Sequence, residues 1–381
     1  MLMPKFAIIA TNEFDAFAGS EILWAETANY LAGLGHETAI NAPGWAAVPN
    51  RISELKALDR TRHEIRPTSP PIARRLLAKA GGGPVEEYFR SYRTDYLRRV
   101  RPDLAIISQG GLVDGSAWME ACAEQGVPFV VIVHLVADAL WPSPEEIERA
   151  NAVYPQAKQV FFVSEHNRAL ATRQLGLDFS AASIVRNPFN VDYHTAFSWP
   201  EPADEWSLAC VGRLGAEHKG QDLLVEVLAS PKWRERPLSV TLYGQGHHRS
   251  LLERLIAHFG TTSVKFGGYT NGIAEVWRTH HALLMPSRYE GLPIALVEAM
   301  LCHRMGIVTD VGGNAEVVED GFTGFVAAVP SPTAVDDALE RAWANRENWG
   351  SMGRAAGQRI RGIITGTPTR DFAETLLGFV E

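Results

Sequence analysis

Short apolar runs alternate with longer amphipathic segments along most of the chain, the pattern expected when strands alternate with helices. Lys5–Thr11 is predicted as a buried strand, Ser20–Leu34 as a helix and His36–Asn41 as the next strand. Further apolar runs predict strands at Asp103–Ser108, Pro128–His134, Lys158–Val163, Trp206–Val211, Leu238–Tyr243, Ser263–Phe266, His281–Met285 and Gly306–Thr309. Because several of these runs lack polar alternation, they favour parallel strands buried on both faces. The pattern predicts an α/β protein with Rossmann-like halves.

The segment from 42 to 101 is the least regular part of the chain. Two basic helices are predicted there, near Ile72–Ala80 and Val85–Arg99. Between Arg51 and Arg101, 13 Lys or Arg residues face 6 Asp or Glu residues, a local balance of +7 within a chain of net charge −8. Two interpretations stay open: a solvated helical face, or attraction of residues 51–101 to an anionic membrane or acceptor.

The bulk composition excludes several other classes of protein. A length of 381 residues predicts two to three domains, each with its own core. The net charge of −8 argues against nucleic acid as a partner. The cysteines are too few and too widely spaced for a disulfide framework or a zinc cluster, which favours a reducing cytosol. The apolar run at the N-terminus is too short to span a membrane and is predicted as the first strand.

The strongest chemical signals lie in Met285–Glu319. Pro286 ends a predicted strand, and Pro293 stands where a helix places its first residue, since its ring presets φ there. Glu290 precedes this helix, and Glu298 lies about a turn and a half inside it. Backbone N–H groups at the positive end of the helix, between two carboxylates that accept from hydroxyls, predict an anion site beside a hydroxyl site. A phosphate flanked by sugar hydroxyls is the signature of a nucleotide-sugar.

The run P-S-R-Y-E-G-L-P-x-A-L-V-E-A-M, with G-G-N-A-E and D-G-x-T-G-F downstream, resembles the donor signature of the retaining family 4 glycosyltransferases. The resemblance implies the GT-B fold, with two Rossmann-like domains facing each other across a cleft. The expected divisions are residues 1–197 as the acceptor domain, 198–368 as the nucleotide-sugar donor domain, and 369–381 as a helix returning to the first domain. The proline-rich, acidic stretch around EPADE fits a linker between the two domains.

The resemblance also assigns the residues that hold the donor diphosphate. Arg213 and Lys219 match the family's diphosphate clamp, and both follow the predicted strand Trp206–Val211 at the carboxyl end of the sheet. Arginine offers a fork to phosphate oxygens and lysine a point charge. Backbone groups complete this set at Gly19, Leu292, Pro293 and Ile294. For Gly19, a turn followed by a helix cap at Ser20 is the alternative interpretation.

The remaining assigned residues concern the sugar and the nucleoside. Glu298 is expected to bind the ribose, Glu290 with Gly291 the donor sugar, and Tyr269 the base. His134, at the end of PFVVIVH, matches the family's active-site histidine near the reaction centre, although a lone histidine at a strand end is more often structural. The catalytic residues expected from the resemblance are therefore His134 and Glu290. No general base is assigned, because the leaving phosphate itself can take the acceptor's proton.

Neither a metal nor a bound cofactor is expected. The sequence contains no Asp-x-Asp, whereas Mg²⁺-dependent transferases hold the diphosphate through carboxylates. The charges of Arg213 and Lys219 would replace that of the metal. The chain departs from the family after E-A-M, where Leu301–Met305 (LCHRM) replaces a small-residue turn, and this predicts an altered rim on the donor side.

Three functional hypotheses follow. The first is a retaining, metal-independent glycosyltransferase that moves a sugar from a nucleotide-sugar, favoured as a UDP-sugar, to a hydroxyl of a glycan, lipid-linked or small-molecule acceptor. The second is a sugar-nucleotide epimerase on the same scaffold, and the third is a non-catalytic sugar-nucleotide binder. The expected location is the cytoplasm, with peripheral contact at the inner face of the membrane if the basic segment binds lipid.

Overall fold

The computed structural model describes residues 3–13, 19–44, 60–67, 69, 85–194, 197–200 and 205–380. They form two compact units: Met1–Pro188 with Thr367–Glu381 make unit 1, and Phe189–Gly366 make unit 2. The predicted helix Ile72–Ala80 lies outside the described residues.

The described part of unit 1 is built around a parallel sheet with the strand order β3-β2-β1-β4-β5-β6-β7. Its strands are β1 Lys5–Ala10, β2 Glu37–Pro43, β3 Thr61–Arg66, β4 Leu104–Gln109, β5 Phe129–Val133, β6 Gln159–Phe162 and β7 Ser183–Ile184. Its helices are α1 Gly19–Gly33, α2 Val85–Val100, α3 Ser116–Gln125, α4 Pro144–Val153 and α5 Glu165–Leu175, with a short 3-10 turn at Tyr154–Gln156. The strand order reverses between β1 and β4, which makes that point a topological switch.

The described part of unit 2 is built around a second parallel sheet, with the strand order β10-β9-β8-β11-β12-β13. Its strands are β8 Trp206–Val211, β9 Leu238–Tyr243, β10 Val264–Gly268, β11 Ala282–Met285, β12 Met305–Thr309 and β13 Gly324–Ala327. Its helices are α6 Ala216–Lys219, α7 Gln221–Leu228, α8 Pro231–Arg234, α9 Arg249–Phe259, α10 Ile273–Thr279, α11 Ile294–Leu301, α12 Asn314–Val317, α13 Pro332–Ala344 and α14 Trp349–Ile363, with a 3-10 turn at Arg346–Asn348. Here the order reverses between β8 and β11.

The last helix, α15 (Pro368–Leu377), belongs to unit 1 although it follows unit 2 in the sequence. Its Phe372 packs edge-on against Phe161 of β6, with ring centroids 5.2 Å apart. The hydroxyl of Thr369 donates to Glu26 of α1 at 3.0 Å. The apolar face of this helix therefore covers one side of the first sheet.

Every predicted strand is present, with ends that shift by no more than two residues. Three further strands, β3, β7 and β13, were not predicted from the sequence. β3 reads TRHEIR and is only half-buried, because it pairs with β2 alone at the edge of the sheet. A rule based on continuous apolar runs does not detect such an edge strand.

The boundary between the units lies at Pro188, whereas the sequence placed the domain limit at Phe197. The cause is that Asn190 and Tyr193 form hydrogen bonds with unit 2, to Glu298 and to the backbone of Arg361 and Ile364. In the part of the chain that the structure describes, no helix is long and apolar enough to cross a membrane.

Candidate active site

The candidate active-site loops of unit 2 follow the two central strands, β8 and β11. The loop after β8 carries Arg213 and leads into α6, which ends at Lys219. The loop after β11 carries Glu290. Because β8 and β11 are neighbours at the switch point of a parallel sheet, both loops lie at the edge where such sheets bind ligands.

Lys219 and Glu290 form a buried ion pair. Nζ of Lys219 lies 2.6 Å from Oε1 of Glu290, and Glu290 is only 5% exposed. The same oxygen accepts a hydrogen bond of 2.7 Å from the hydroxyl of Ser287. The two residues that the sequence assigned to the diphosphate and to the sugar are thus held against each other, 71 positions apart in the chain.

Burial alone would raise the pKa of Glu290, but the charge of Lys219 and the nearby His218 lower it to about 2. Nε2 of His218 lies 3.7 Å from Oε2 of Glu290. The His218 ring stacks on Tyr289 at 4.3 Å, and its Nδ1 lies 3.3 Å from Nη2 of Arg213. Glu290 is therefore an ionised carboxylate at neutral pH, surrounded by cationic and imidazole groups.

Contacts on two sides fix the loop that carries Glu290. Arg288 makes a bidentate pair with Asp222 of α7, both contacts being 2.7 Å, and its backbone N–H donates to the carbonyl of His218. On the other side, the N–H of Gly313 donates to the carbonyl of Gly291 at 2.6 Å. Gly312 has φ of +52°, and a Cβ there would lie 2.1 Å from the carbonyl oxygen of Glu290, so only glycine fits.

Helix α11 begins at Ile294, and Pro293 occupies the N-cap position in an extended conformation. The sequence placed Pro293 one position too far into the helix. None of the described side chains caps this helix, while Leu292 is buried and Gly291 is half-buried. The uncapped N-terminus thus presents its positive end immediately after the Glu290 loop.

Glu298 is buried within α11, with 3% exposure. Its Oε1 accepts from both the backbone N–H and the side-chain amide of Asn190, at 2.8 and 2.9 Å. Burial raises the pKa of this carboxyl group, against the opposing effect of the two hydrogen bonds. Asn190 fixes one oxygen of the carboxylate and thereby its orientation.

Tyr269 follows β10, the outermost strand of this sheet, and is 66% exposed. The strand before it ends in glycines, and a Cβ at Gly267 would lie 2.4 Å from the ring of Tyr243. Close packing of Tyr243 on this backbone explains the glycine, and Tyr269 stays available to a ligand.

In unit 1, His134 lies directly after β5 and is 6% exposed. Its Nε2 lies 3.2 Å from the hydroxyl of Ser108, and its Nδ1 is a buried ring nitrogen without a hydrogen-bond partner among the described residues. Burial lowers the pKa of His134 to about 3. The ring is therefore neutral at physiological pH, and Nδ1 is the atom that remains for a ligand.

Gly19 is the first described residue of α1 and is exposed, whereas the sequence placed it in the preceding loop. The next residues form a polar cluster, in which Ser20 donates to Glu21 at 2.7 Å and the amide of Asn12 contacts both. Glu21 is 1% exposed. A carboxylate thus already lies in the first turn of this helix, and Ser20 contacts it from within the helix.

The LCHRM departure has a structural role. Arg304 is completely buried, and its guanidinium donates to the carbonyls of His280, Cys302 and Ser198. Its charge also lies over the Trp199 ring at 5.4 Å. Arg304 therefore fastens Ser198 and Trp199 to the core of unit 2, and the altered rim on the donor side stays a prediction.

Sequence reasoning gave no role to His218, Arg288, Asn190 and Ser287. Ser287 and Arg288 stood inside the quoted donor signature, close to Glu290, and His218 stood next to Lys219. Asn190 stood in the run that ends the first domain, and nothing local to it indicates that it contacts Glu298.

Together, two family models of glycosyltransferases match almost the whole chain. Residues 17–193 match the family described as Glycosyltransferase Family 4, and residues 194–359 match Glycosyl transferases group 1. The chain belongs to the family 4 glycosyltransferases of this group, as its motifs predicted.

Relatives of known description cover parts of the chain. An alpha-D-kanosaminyltransferase from Streptomyces kanamyceticus is 34% identical over 134 residues, which is 34% of each chain. A GDP-mannose-dependent alpha-(1-6)-phosphatidylinositol monomannoside mannosyltransferase from Mycolicibacterium smegmatis is 28% identical over 250 residues, 55% of this chain and 63% of the relative. The matched segments span less than two thirds of either relative.

The fold is also that of solved structures over its full length. The Anabaena protein HepE in complex with UDP aligns with a TM-score of 0.74 at 18% identity, covering 98% of this chain and 100% of HepE. The predicted fold class, GT-B with two Rossmann-like domains, is confirmed.

Proposed function

We propose that this protein is a retaining glycosyltransferase that moves a sugar from a nucleotide-sugar to a hydroxyl group of an acceptor. The observation that carries the proposal is the group of Arg213, His218, Lys219 and Glu290 at the switch point of unit 2. This group combines cations for a leaving diphosphate with a buried carboxylate, ionised at neutral pH, for sugar hydroxyls.

Each part of the donor has a candidate contact in this arrangement. Arg213, with the uncapped N-terminus of α11 from Leu292 to Ile294, would stabilise the diphosphate. Lys219 would share its charge between Glu290 and the phosphate, and so connect the two parts of the donor. Glu298, oriented by Asn190, would accept from the ribose hydroxyls, and Tyr269 would contact the base.

Unit 1 would contribute His134 and Gly19. A neutral imidazole whose Nδ1 has no hydrogen-bond partner among the described residues can form a hydrogen bond with a sugar hydroxyl, but its low pKa makes it a poor proton acceptor. The proton of the acceptor hydroxyl would therefore pass to the leaving phosphate. The backbone of Gly19 would approach that phosphate, competing with Glu21 in the first turn of α1.

The proposed donor is a UDP-sugar, with a glycan, lipid-linked or small-molecule acceptor. The choice of UDP is supported by HepE, which has the same fold and has been solved in complex with UDP-glucose. A relative that depends on GDP-mannose makes GDP the nucleotide to compare. The mannosyltransferase relative is named for a phosphatidylinositol monomannoside, whereas the name of the kanosaminyltransferase gives only the sugar that it transfers. The acceptor type is therefore tested with mixed pools.

A donor screen with EDTA present tests both the reaction and its independence from metal. We expect release of UDP from one UDP-sugar, increased by a pool of lipid or oligosaccharide acceptors, and a kcat within about twofold of that without EDTA, because protein cations take the role of a metal at the diphosphate. Full loss in EDTA, restored by Mg²⁺ or Mn²⁺, would overturn the metal-free mechanism. Conversion of the donor to an epimer without release of UDP would show the epimerase instead.

Peripheral contact between residues 51–101 and an anionic membrane is a separate proposal. Of its cations, Arg74, Arg75 and Lys79 lie outside the described residues, whereas Arg99 pairs with Glu64 and Arg98 donates to Gln125. Pairing of this kind reduces the charge available to lipid. If the charge of this segment attracts lipid, binding to phosphatidylserine vesicles should weaken as salt rises from low values towards 0.1 M, where screening acts over about 10 Å. Absence of binding to such vesicles at low salt would leave only a solvated helical face.

A further inference from the structure

Three side chains of unit 2 that the donor site does not use converge on one point. In the described residues, Glu217, His247 and His248 form a group whose ligand-type atoms all lie within 4.8 Å of one another. Nε2 of His247 lies 3.1 Å from Oε1 of Glu217, and Nδ1 of His248 lies 2.7 Å from Oε2. Each histidine thus faces a different oxygen of the same carboxylate.

The backbone brings the three residues together before any ligand binds. Glu217 belongs to α6, after β8, and the histidines belong to the loop after β9. The N–H of Leu214 donates to the carbonyl of Gln245 at 2.9 Å, and the N–H of His248 donates to the carbonyl of Leu214 at 3.0 Å. Gly246 permits this approach, since a Cβ there would lie 2.3 Å from the oxygen of Leu214. A site assembled in this way needs little rearrangement to bind an ion.

The hydrogen-bond inventory of His248 points to a cation. Its Nδ1 lies 3.1 Å from the backbone N–H of Ala216, a donor, and 2.7 Å from Oε2 of Glu217, an acceptor. One ring nitrogen carries either a proton or a lone pair, so it cannot satisfy both neighbours. An unprotonated Nδ1 has a single lone pair, and it lies 2.7 Å from an oxygen of the Glu217 carboxylate. A cation between Nδ1 and this oxygen would take that lone pair in place of the Ala216 N–H and relieve the repulsion between the two acceptors.

We propose that Glu217, His247 and His248 bind one divalent transition-metal ion of the zinc type. Two imidazoles and one carboxylate form a ligand set suited to Zn²⁺, whereas Mg²⁺ prefers oxygen ligands alone. Glu217 and His247 are exposed, with 46% and 59% of their side chains accessible, so an ion can enter and water can complete its coordination. The proposed metal site takes no part in the proposed transfer reaction, because Arg213 and Lys219 supply the positive charge at the diphosphate.

The position of this site gives it a structural consequence. Glu217 shares the four-residue helix α6 with His218 and Lys219, and its carboxylate attracts Arg213. A metal bound at Glu217 would fasten α6 to the loop after β9 and neutralise the carboxylate beside Arg213. An effect of the metal on donor binding rests on the proposed function of Arg213 and Lys219, whereas the metal site itself does not.

Calorimetric titration of the full-length, EDTA-stripped protein with ZnCl₂ tests the site without any assay of activity. We expect one Zn²⁺ per chain, no detectable binding of Mg²⁺, and an affinity at least about tenfold weaker in His247→Ala and in Glu217→Gln, since each variant removes a ligand. Both substitutions are at exposed positions, so the fold should be retained. An excess of Zn²⁺ about 100-fold above Kd should also raise the Tm of the wild type by about 5 °C.

His258→Ala is the matched control, because His258 is an exposed histidine at the far end of α9. It should bind Zn²⁺ as the wild type does. Failure of the wild type to bind Zn²⁺, or equal affinity in the wild type, His247→Ala and Glu217→Gln, would overturn the proposal. Either result leaves the transferase proposal standing, because that proposal is tested by the release of UDP in EDTA.

Discussion

Replacing Lys219 with methionine is expected to lower the free energy of unfolding by about 3–5 kcal/mol, because the substitution leaves the buried carboxylate of Glu290 without its partner. Glu290 is 5% exposed, and the ion pair with Lys219 is its shortest charged contact. Methionine keeps the length and much of the volume of the lysine stem, so the loss reports the charge rather than a cavity. Urea denaturation followed by fluorescence and circular dichroism measures it.

The effect should depend on pH in a defined direction. In the wild type, the pKa of Glu290 is held at about 2, below its ordinary value of 4.5, so the pair stabilises the fold above pH 4.5 and this contribution is lost as the pH falls through about 2. Without Lys219, burial dominates and raises the pKa of Glu290. Protonation of Glu290 then removes the unpaired buried charge from Lys219→Met. The loss of stability relative to the wild type should therefore be smaller near pH 4 than near pH 7.

Two further variants separate this explanation from a general loss of packing. Lys265→Met removes an exposed lysine that lies 3.6 Å from Glu205, and it should cost no more than about 1 kcal/mol. The double variant Lys219→Met/Glu290→Gln should recover most of the lost stability, because no buried charge remains. If the double variant is as unstable as Lys219→Met, the buried ion pair is not the cause.

Glu290→Gln and Glu298→Gln are expected to impair transfer in different ways. Hydrogen bonds to charged groups contribute roughly 1.5–3 kcal/mol, which corresponds to about a tenfold to hundredfold effect at each residue. Glu290→Gln should reduce kcat by this factor with a smaller change in donor KM, if its contacts strengthen as charge develops on the sugar ring. Glu298→Gln should raise donor KM, because it weakens a contact present throughout the reaction.

The structure sharpens the expectation for the bare nucleoside diphosphate. Glu290 neutralises part of the charge of Lys219 through the 2.6 Å contact, so Glu290→Gln should bind UDP no more weakly than the wild type. Glu298 lies apart from that pair, with one oxygen held by Asn190. Glutamine at 298 can still accept from Asn190, so the fold should be retained while the ribose contact weakens. The two variants therefore differ in their expected effect on UDP binding: Glu298→Gln weakens it and Glu290→Gln does not.

The sequence was sufficient for the parts of the fold that depend on local patterns. β8 and β9 lie where the apolar runs predicted them, because parallel strands buried on both faces have nearly continuous apolar sequences. β3 and β13 were missed, since the first is an edge strand of mixed polarity and the second is a four-residue strand inside a glycine-rich motif. Their pairing is decided by neighbouring strands rather than by their own residues.

The candidate site, like the fold, was predicted from the sequence only in part. The motif around Glu290 and Glu298 identified the residues and the class of ligand, but not their partners. The contacts of Lys219 with Glu290 and of Asn190 with Glu298 join residues 71 and 108 positions apart, and single-sequence periodicity carries no information on such contacts. The zinc-type ligands were missed for the same reason, because Glu217 is separated from the histidine pair by a whole helix–strand unit.

Calorimetric titration of UDP into the wild type, Glu290→Gln and Glu298→Gln tests the central claim most directly, namely that the switch-point edge of unit 2 binds the nucleoside diphosphate of the donor. GDP is titrated in parallel, since one relative depends on a GDP-sugar. We expect the wild type to bind one of the two diphosphates. Glu290→Gln should bind it at least as tightly, and Glu298→Gln should bind it at least about tenfold more weakly. Equal losses in both variants would contradict the division between sugar and ribose contacts. Absence of binding of either diphosphate to the folded wild type would contradict the site itself.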